Sequence, residues 1–382
     1  MSKIATKRKT VTFWDSFLFL SVAAFDTRIY TEIKMLQTGG GRYKKSMNEI
    51  MVRTIVKKAI RDFKTDPERT IRNLVDMALQ FSDSAFQQRF YSVAQRLLSD
   101  EKSGYYDLVK NTITKINEQT LLTFSMNLGY NGLYLGAKKI RETAQREGYH
   151  IPWTVSLAVG EDALCDRLHA LVDQGEALGI HTWHLFSNHG IYECLTLAES
   201  HPDSSFAIFC AGNEIDLRLL DYADDIHNIA LFIPYDEDAD VVCELLQASG
   251  MLYGIYHCYT DTNLPALESG ELMEDIQQLH PAVAVLMPQF HCQQQLRERA
   301  YGWINRARVE QKCRTIPWEL YSDTILVDDI ISGEGCWIGF DSYGQLNTES
   351  GLCREPELNL FRQDLPAILK QAFPLKKEGT QE

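Results

Sequence analysis

Short apolar runs rich in β-branched and aromatic residues recur through the middle of the chain and alternate with amphipathic segments. The runs are WTVSLAV (153–159), HTWHLFS (181–187), SFAIFCA (205–211), NIALFIP (228–234), LYGIYHCY (252–259) and AVAVLMP (282–288). Strands that alternate with amphipathic helices predict a parallel sheet with right-handed crossovers. Six such units in succession favour a partial or complete β/α barrel over an open sheet, with functional groups at the carboxyl ends of the strands.

The regions on either side of these strands have different patterns. Residues 46–120 carry apolar positions at helical spacing, whereas the tail from residue 313 is rich in turns, has two widely spaced cysteines and ends in a helix. The chain is therefore predicted to have four parts. They are an N-terminal segment that could be flexible (1–45), an α-helical domain (46–120), the α/β barrel (121–312) and a C-terminal cysteine-containing segment with a helix (313–382).

The formal net charge of −14 limits the classes of partner. Non-specific binding to nucleic acid needs a basic surface that neutralises phosphates, so no nucleic-acid partner is expected. Residues 3–64 are nevertheless rich in lysine and arginine. This enrichment indicates either steering of an acidic partner or a solvated helix face.

The amino terminus imitates a secretory signal peptide, since a basic start precedes the apolar run VTFWDSFLFLSVAAF. Asp15 interrupts this run, which is too short to span a bilayer. A helix or docking segment is therefore favoured over secretion, and no membrane span is expected.

The nine cysteines include no CxxC pair, and their odd number suits a reducing compartment in which most thiols are buried. The predicted location is the cytoplasm.

The segment MNLGYNGLYLGAKKIRE (126–142), followed by GYHIPW (148–153), resembles a group of radical SAM proteins. In that group a helical N-terminal region leads into a similar segment, then into a partial barrel. A C-terminal segment that often binds an auxiliary iron–sulfur cluster comes last. The resemblance implies an α/β fold with a radical-SAM-like partial (β/α)6 barrel, preceded by an α-helical domain and followed by a small C-terminal segment.

The chain differs from this family at the positions that bind the iron–sulfur cluster and SAM. Radical SAM proteins carry a CxxxCxxC loop after the first barrel strand, and its three thiolates hold a 4Fe–4S cluster. Here residues 158–162 pass directly into a helix, and only Cys165 follows. The family's glycine-rich SAM-binding turn reads SNHG (187–190), and the next turn reads CAGN (210–213). The resemblance implies that four residues occupy positions at which the family binds SAM, although the binding motifs themselves have degenerated. These positions are His189, Gly190, Gly212 and Asn213. No catalytic residue is predicted.

The C-terminal cysteines are the candidates for a residual cofactor. Cys336 and Cys353 resemble cysteines of the family's C-terminal cluster segment, and Cys313 could contribute to a 4Fe–4S cluster. Three thiolates are one short of the usual four, which Cys292 or a partner residue could supply. The alternative is that Cys336 and Cys353 pack as small apolar residues beside a turn. No other cofactor is expected.

A second candidate metal site uses residues near successive strand ends, where barrel enzymes gather their ligands. These residues are His189, Cys210, Asp236, Asp261 and His291. Imidazole, carboxylate and thiolate groups can hold zinc with an open position for water. No HxH or HExxH spacing supports this site.

These observations favour a catalytically degenerate radical SAM-like protein, a pseudoenzyme that acts as a binding or regulatory subunit without reductive SAM cleavage. Its partner would be a peptide, a small molecule or a catalytically active radical SAM relative. The space of the cluster and SAM would hold either side chains such as Trp183, Phe186 and Phe209 or a new ligand. The alternative function is a metal- or iron–sulfur-dependent enzyme that uses the C-terminal cysteines or the strand-end residues.

Overall fold

The computed structural model describes residues 41–66, 69, 70, 72, 73, 76, 103–160, 165–289 and 292–375. Its strands are β1 (Thr154–Gly160), β2 (Thr182–Asn188), β3 (Ser205–Phe209), β4 (Ile229–Pro234), β5 (Tyr253–Tyr259), β6 (Val283–Pro288), β7 (Ile316–Glu319), β8 (Ile338–Phe340), β9 (Leu346–Thr348) and β10 (Gly351–Leu352). The helices before β1 are α1 (Gly41–Thr65), α2 (Gly104–Lys115), α3 (Glu118–Ser125) and α4 (Ala137–Glu147), with a π-helical segment (Met126–Gly136) before α4. The later helices are α5 (Cys165–Leu178), α6 (Ile191–Ser200), α7 (Leu217–Ala223), α8 (Ala239–Ala248), α9 (Leu264–Ser269), α10 (Glu271–Gln278), α11 (Gln294–Glu310), α12 (Leu320–Ser332) and α13 (Leu365–Ala372).

The chain divides into two compact units, which we describe separately. Among the described residues, the large-sheet unit comprises those within Tyr130–Phe232 and those from Tyr321 onwards. The small-sheet unit comprises the described residues up to Gly129 and those within Ile233–Leu320. The predicted domain boundaries at residues 45, 120 and 312 stay a prediction.

Parallel strands in chain order form the sheet of the large-sheet unit. β1 pairs with β2, β2 with β3, and β3 with β4, all in parallel. On its other side β1 pairs with β8 in parallel, and β9 and β10 extend that edge as antiparallel strands. Helices α5, α6 and α7 connect successive strands, so this unit follows the strand–helix alternation predicted from the sequence.

Close packing between α5 and the sheet fixes which side of β2 faces the helices. Trp183 is fully buried, and a Cβ atom added at Gly175 would lie 2.5 Å from Cζ2 of its ring. Only glycine leaves room for the indole at this point of α5. Because side chains alternate along a strand, Phe186 belongs to the opposite face of the sheet from Trp183.

The small-sheet unit has its own parallel strands, because β5 pairs with β6 and β6 with β7 in parallel. The fully buried Arg308 ties α11 to β7, because its Nε and Nη2 donate to the Pro317 carbonyl at 2.8 and 2.6 Å. At the ends of β5 and β7 the Tyr259 hydroxyl donates to Glu319 Oε1 at 3.1 Å. Both of these side chains are buried, so this pair closes the core of the unit.

The predicted α/β fold is confirmed within each unit, where parallel strands alternate with helices, and helices precede the first strand. The partial (β/α)6 barrel that the resemblance implies stays a prediction. Each of the six apolar runs that predicted a strand overlaps one, from β1 to β6, with ends that agree to within two residues. No helix within the described ranges combines the length and apolar character needed to cross a membrane.

Candidate functional site

The connection after β1 tests whether the 4Fe–4S cluster implied by the resemblance fits this chain. β1 ends at Gly160 and α5 begins at Cys165, so four residues join them. A radical SAM cluster needs three thiolates here, and Cys165 is the one cysteine between β1 and the middle of α5. The residues at this position therefore do not fit a 4Fe–4S cluster.

The turn after β2 contains His189 and Gly190, two of the four predicted SAM-site positions. His189 has a left-handed backbone with φ of 64° and forms an isolated β-bridge with Gly160. Its side chain is exposed, whereas Gly190 is buried. A Cβ atom at Gly190 would lie 3.0 Å from the Val159 carbonyl oxygen, so this glycine allows close packing against β1. The turn is thus packed against its own sheet and does not form an open cradle.

The structure brings the two predicted turns together through Ser187 and Glu214, which the sequence did not single out. The Ser187 hydroxyl donates to Glu214 Oε1 at 2.9 Å and accepts a hydrogen bond from the Gly190 amide at 3.1 Å. The other carboxylate oxygen, Glu214 Oε2, accepts from the Ala211 amide at 2.9 Å. Gly212 and Asn213 lie in the 3-10 turn that ends at Glu214. The polar groups of the two turns therefore bind one another.

Three phenylalanines stack on neighbouring strands near these turns. The Phe186 and Phe209 rings are stacked with centroids 4.6 Å apart, and the Phe209 and Phe232 rings with centroids 4.8 Å apart. The three residues are register partners on β2, β3 and β4. One of two alternatives from the sequence was that side chains such as Trp183, Phe186 and Phe209 fill the space of the cluster and SAM, the other being a new ligand. The expectation for Trp183 was wrong, because it faces α5 on the other side of the sheet, and Phe232 completes the stack.

His184 lies on the same face as the phenylalanine stack, two residues before Phe186. Its ring stands edge-on to Phe209 with centroids 6.2 Å apart, and its Nδ1 lies 3.4 Å from the Ser156 hydroxyl. Complete burial lowers the pKa of His184 to about 4. The imidazole is therefore neutral at pH 7 and adds no charge to this face.

The predicted C-terminal cluster cysteines fall into different surroundings. Cys336 is buried beside His150 and Asp328, and both its burial and the nearby carboxylate raise the pKa of its thiol. Cys353 is half-buried, and Cys313 lies in the small-sheet unit, where burial raises the pKa of its thiol to about 11. The side chains that contact the Cys336 sulfur are an imidazole and a carboxylate, which does not fit a cluster held by four thiolates.

The second predicted metal site, at the strand ends, is spread over the chain. His189 and Cys210 belong to the large-sheet unit, and Asp236 and Asp261 belong to the small-sheet unit. His291 lies outside the described residues. Burial raises the pKa of the Cys210 thiol, which donates to the Phe232 carbonyl at 3.7 Å. The Cys210 sulfur therefore lies in the core, against a backbone carbonyl of the neighbouring strand.

Among the described residues, two groups of three metal-binding side chains lie within 4.8 Å of one another. The first consists of His150, Asp328 and Cys336, all buried. The second consists of Asp173, Glu176 and His201, of which Asp173 is exposed. Sequence reasoning identified only Cys336 from these groups, because the histidine of each group is distant along the chain from its carboxylates and no metal-binding spacing marks the members.

No protein-family model matches the chain, and no curated protein matches it. Among solved structures the chain is similar to Streptococcus suis SuiB, at 10% sequence identity and a TM-score of 0.43 over 78% of this chain and 81% of that chain. SuiB bound to S-adenosylmethionine gives 10% identity and a TM-score of 0.42 over 66% of this chain and 69% of that chain. SuiB bound to precursor peptide SuiA gives 10% identity and a TM-score of 0.43 over 66% and 70%. At this identity the similarity concerns the fold alone.

Proposed function

We propose that this protein is a catalytically degenerate radical SAM-like protein, a cytoplasmic pseudoenzyme that binds a peptide segment of a partner and does not cleave SAM reductively. The stack of Phe186, Phe209 and Phe232 carries the proposal. It occupies the sheet face near the strand ends, where the family resemblance places the cluster and SAM.

The chemistry of this sheet face supports the loss of cofactor binding. Two successive register rows on the face of the stack contain eight residues of the first four strands, and none of the eight is charged at pH 7. They are Ser156, Ala158, His184, Phe186, Ala207, Phe209, Ala230 and Phe232. SAM carries an amino group, a carboxylate and a sulfonium centre, and an apolar face without charged groups would leave them without partners. Fold alone does not carry an activity.

The surface of the large-sheet unit supports a binding role. A groove between α5 and α6 is lined by Leu168, His169, Tyr192, Glu193, Thr196 and Leu197. We call it the tyrosine groove. Tyr192 is 47% exposed and meets the 43% exposed Tyr222 of α7 edge-on, with centroids 5.7 Å apart. Tyrosine is enriched at protein interfaces and at their energetic centres.

The charges beside the tyrosine groove indicate what kind of peptide it would bind. Glu193 lines the groove, and Glu199 accepts a hydrogen bond from the Tyr222 hydroxyl at 3.4 Å. Asp173 on α5 has a largely exposed side chain. A segment that carries basic and apolar side chains would complement these carboxylates and the tyrosine rings. We therefore propose a basic, partly apolar peptide as the occupant.

Selection from a displayed library of random peptides against the full chain tests this role. We expect the enriched peptides to combine arginine or lysine with leucine or phenylalanine. The double variant Tyr192→Ala, Tyr222→Ala should then weaken the affinity of the best peptide at least about tenfold, since such anchors contribute at least about 1.4 kcal/mol.

The matched control is Tyr343→Ala, because Tyr343 is 78% exposed but lies outside the tyrosine groove. Its replacement should leave the affinity of the same peptide unchanged. A library that yields no binding peptide, or a peptide that binds the double variant as tightly as the wild type, would contradict the proposed role.

A further inference from the structure

We propose that His150, Asp328 and Cys336 form a binding site for one zinc ion inside the large-sheet unit. The three residues come from separate parts of the chain. His150 precedes β1, Asp328 lies on α12, and Cys336 precedes β8. The inference does not rest on the proposed function, because the site lies in the core and would support the fold whether or not the protein binds a peptide.

The three potential ligand atoms form a small triangle. Asp328 Oδ2 lies 2.8 Å from His150 Nε2, and the Cys336 sulfur lies 3.0 Å from His150 Nε2 and 3.2 Å from Asp328 Oδ2. Zinc keeps nitrogen, oxygen and sulfur ligands at about 2.0–2.3 Å. Three atoms this close together could all bind one ion at such distances, and a fourth ligand position would stay open.

The donor set suits zinc better than an iron–sulfur cluster. It supplies one imidazole nitrogen, one carboxylate oxygen and one thiol sulfur, which are the three kinds of ligand that zinc accepts. An iron–sulfur cluster would need several thiolates instead. All three side chains are buried, so the ligands would be shielded from water.

Hydrogen bonds from the backbone hold the carboxylate in place. Asp328 Oδ1 accepts from the Trp153 amide at 3.0 Å, and Oδ2 accepts from the Cys336 amide at 2.9 Å. The His150 amide donates to the Phe373 carbonyl at 2.8 Å, which fixes the backbone beside the ring. Such supporting bonds around the ligands are typical of metal sites, because they orient the ligand atoms before the ion binds.

The imidazole presents one nitrogen to the proposed site. His150 is 2% exposed, and its Nε2 lies 2.8 Å from Asp328 Oδ2 and 3.0 Å from the Cys336 sulfur. Nε2 is therefore the nitrogen that would bind the ion, while Nδ1 has no hydrogen-bond partner.

Metal analysis of the purified full chain tests the site. We expect about one zinc per chain, and after exchange with Co²⁺ we expect a thiolate-to-cobalt charge-transfer band in the near ultraviolet. Cys336→Ser should abolish the band, and a chelator should lower the melting temperature of the wild type but not that of the variant.

Two variants serve as matched controls. Cys353→Ser removes a cysteine of the same unit outside the group, and His201→Ala disrupts the second group of potential ligands, in which His201 Nδ1 lies 3.7 and 3.8 Å from the Glu176 and Asp173 oxygens. Both should keep the zinc and the cobalt band.

A metal-free wild type that gains no cobalt band would overturn the proposal. Zinc that persists in folded Cys336→Ser but is lost in His201→Ala would also overturn it. If Cys336→Ser does not fold, His150→Ala replaces it in the test. A cobalt band in the wild type that is absent from His150→Ala would support the site, and a band of equal strength in both would overturn it.

Discussion

Asp328→Ala should lower the free energy of unfolding by about 3–5 kcal/mol. This is the typical cost of removing one partner from a buried ionic hydrogen-bonded pair. The Asp328 side chain is fully buried and accepts hydrogen bonds from the Trp153 and Cys336 amides. Its Oδ2 also lies 2.8 Å from His150 Nε2. Alanine would leave these donors buried and without an acceptor. Urea denaturation with a chelator present in all samples measures this loss apart from any contribution of zinc.

The neighbouring Asp329 offers a matched control on the same helix. It is exposed, so Asp329→Ala should change the free energy of unfolding by no more than about 0.5 kcal/mol. If Asp328→Ala and Asp329→Ala had equal small effects, Asp328 would not be the residue that joins α12 to the approaches of β1 and β8.

The second large effect concerns pH and His184. Burial lowers the pKa of His184 to about 4 in the folded chain, against 6.5 for an exposed histidine. The unfolded chain therefore binds a proton in this pH range that the folded chain does not bind. The contribution of the neutral ring is fully present above pH 6.5 and is lost as the pH falls towards 4. The difference between the two pKa values corresponds to about 3 kcal/mol.

His184→Gln removes this titration, so we expect its stability to fall less steeply between pH 6.5 and 4 than that of the wild type. Denaturation curves at a series of pH values measure the difference in stability between the two proteins. The titration of the carboxylates that both proteins share cancels in this difference. His189→Asn is the control, because His189 is exposed and Asn tolerates its left-handed backbone. Parallel stability curves for wild type and His184→Gln would mean that His184 is accessible to protons in the folded chain.

The sequence predicted those parts of the fold that have a strong local signal. β1 to β6 are continuous apolar runs bounded by polar segments, and each was located. β7 was not predicted, because IPWE is only four residues long and contains a proline, which is uncommon inside strands. α12 was also missed, because the buried carboxylates Asp323 and Asp328 interrupt the apolar face by which a core helix is recognised.

The candidate sites depend on contacts that local patterns cannot reveal. Phe232 joins the phenylalanine stack through the register of β3 and β4, which the sequence does not specify. His150 is 178 residues from Asp328 and 186 residues from Cys336 along the chain. Ser187 meets Glu214 across two turns, and a serine after a strand carries no signal of its own. The missing CxxxCxxC loop, by contrast, could be recognised directly, because a missing motif needs no tertiary structure.

The most direct test of the central claim is a measurement of 5′-deoxyadenosine. The full chain would be purified without oxygen, incubated with iron, sulfide and a strong reductant, and then supplied with SAM. A Cys165→Ala variant treated in the same way would be the control. Our account predicts no 5′-deoxyadenosine above the level of a protein-free sample for either protein. Turnover of SAM by the wild type that disappears in Cys165→Ala would show that a catalytic cluster is still assembled, and would contradict the assignment as a pseudoenzyme.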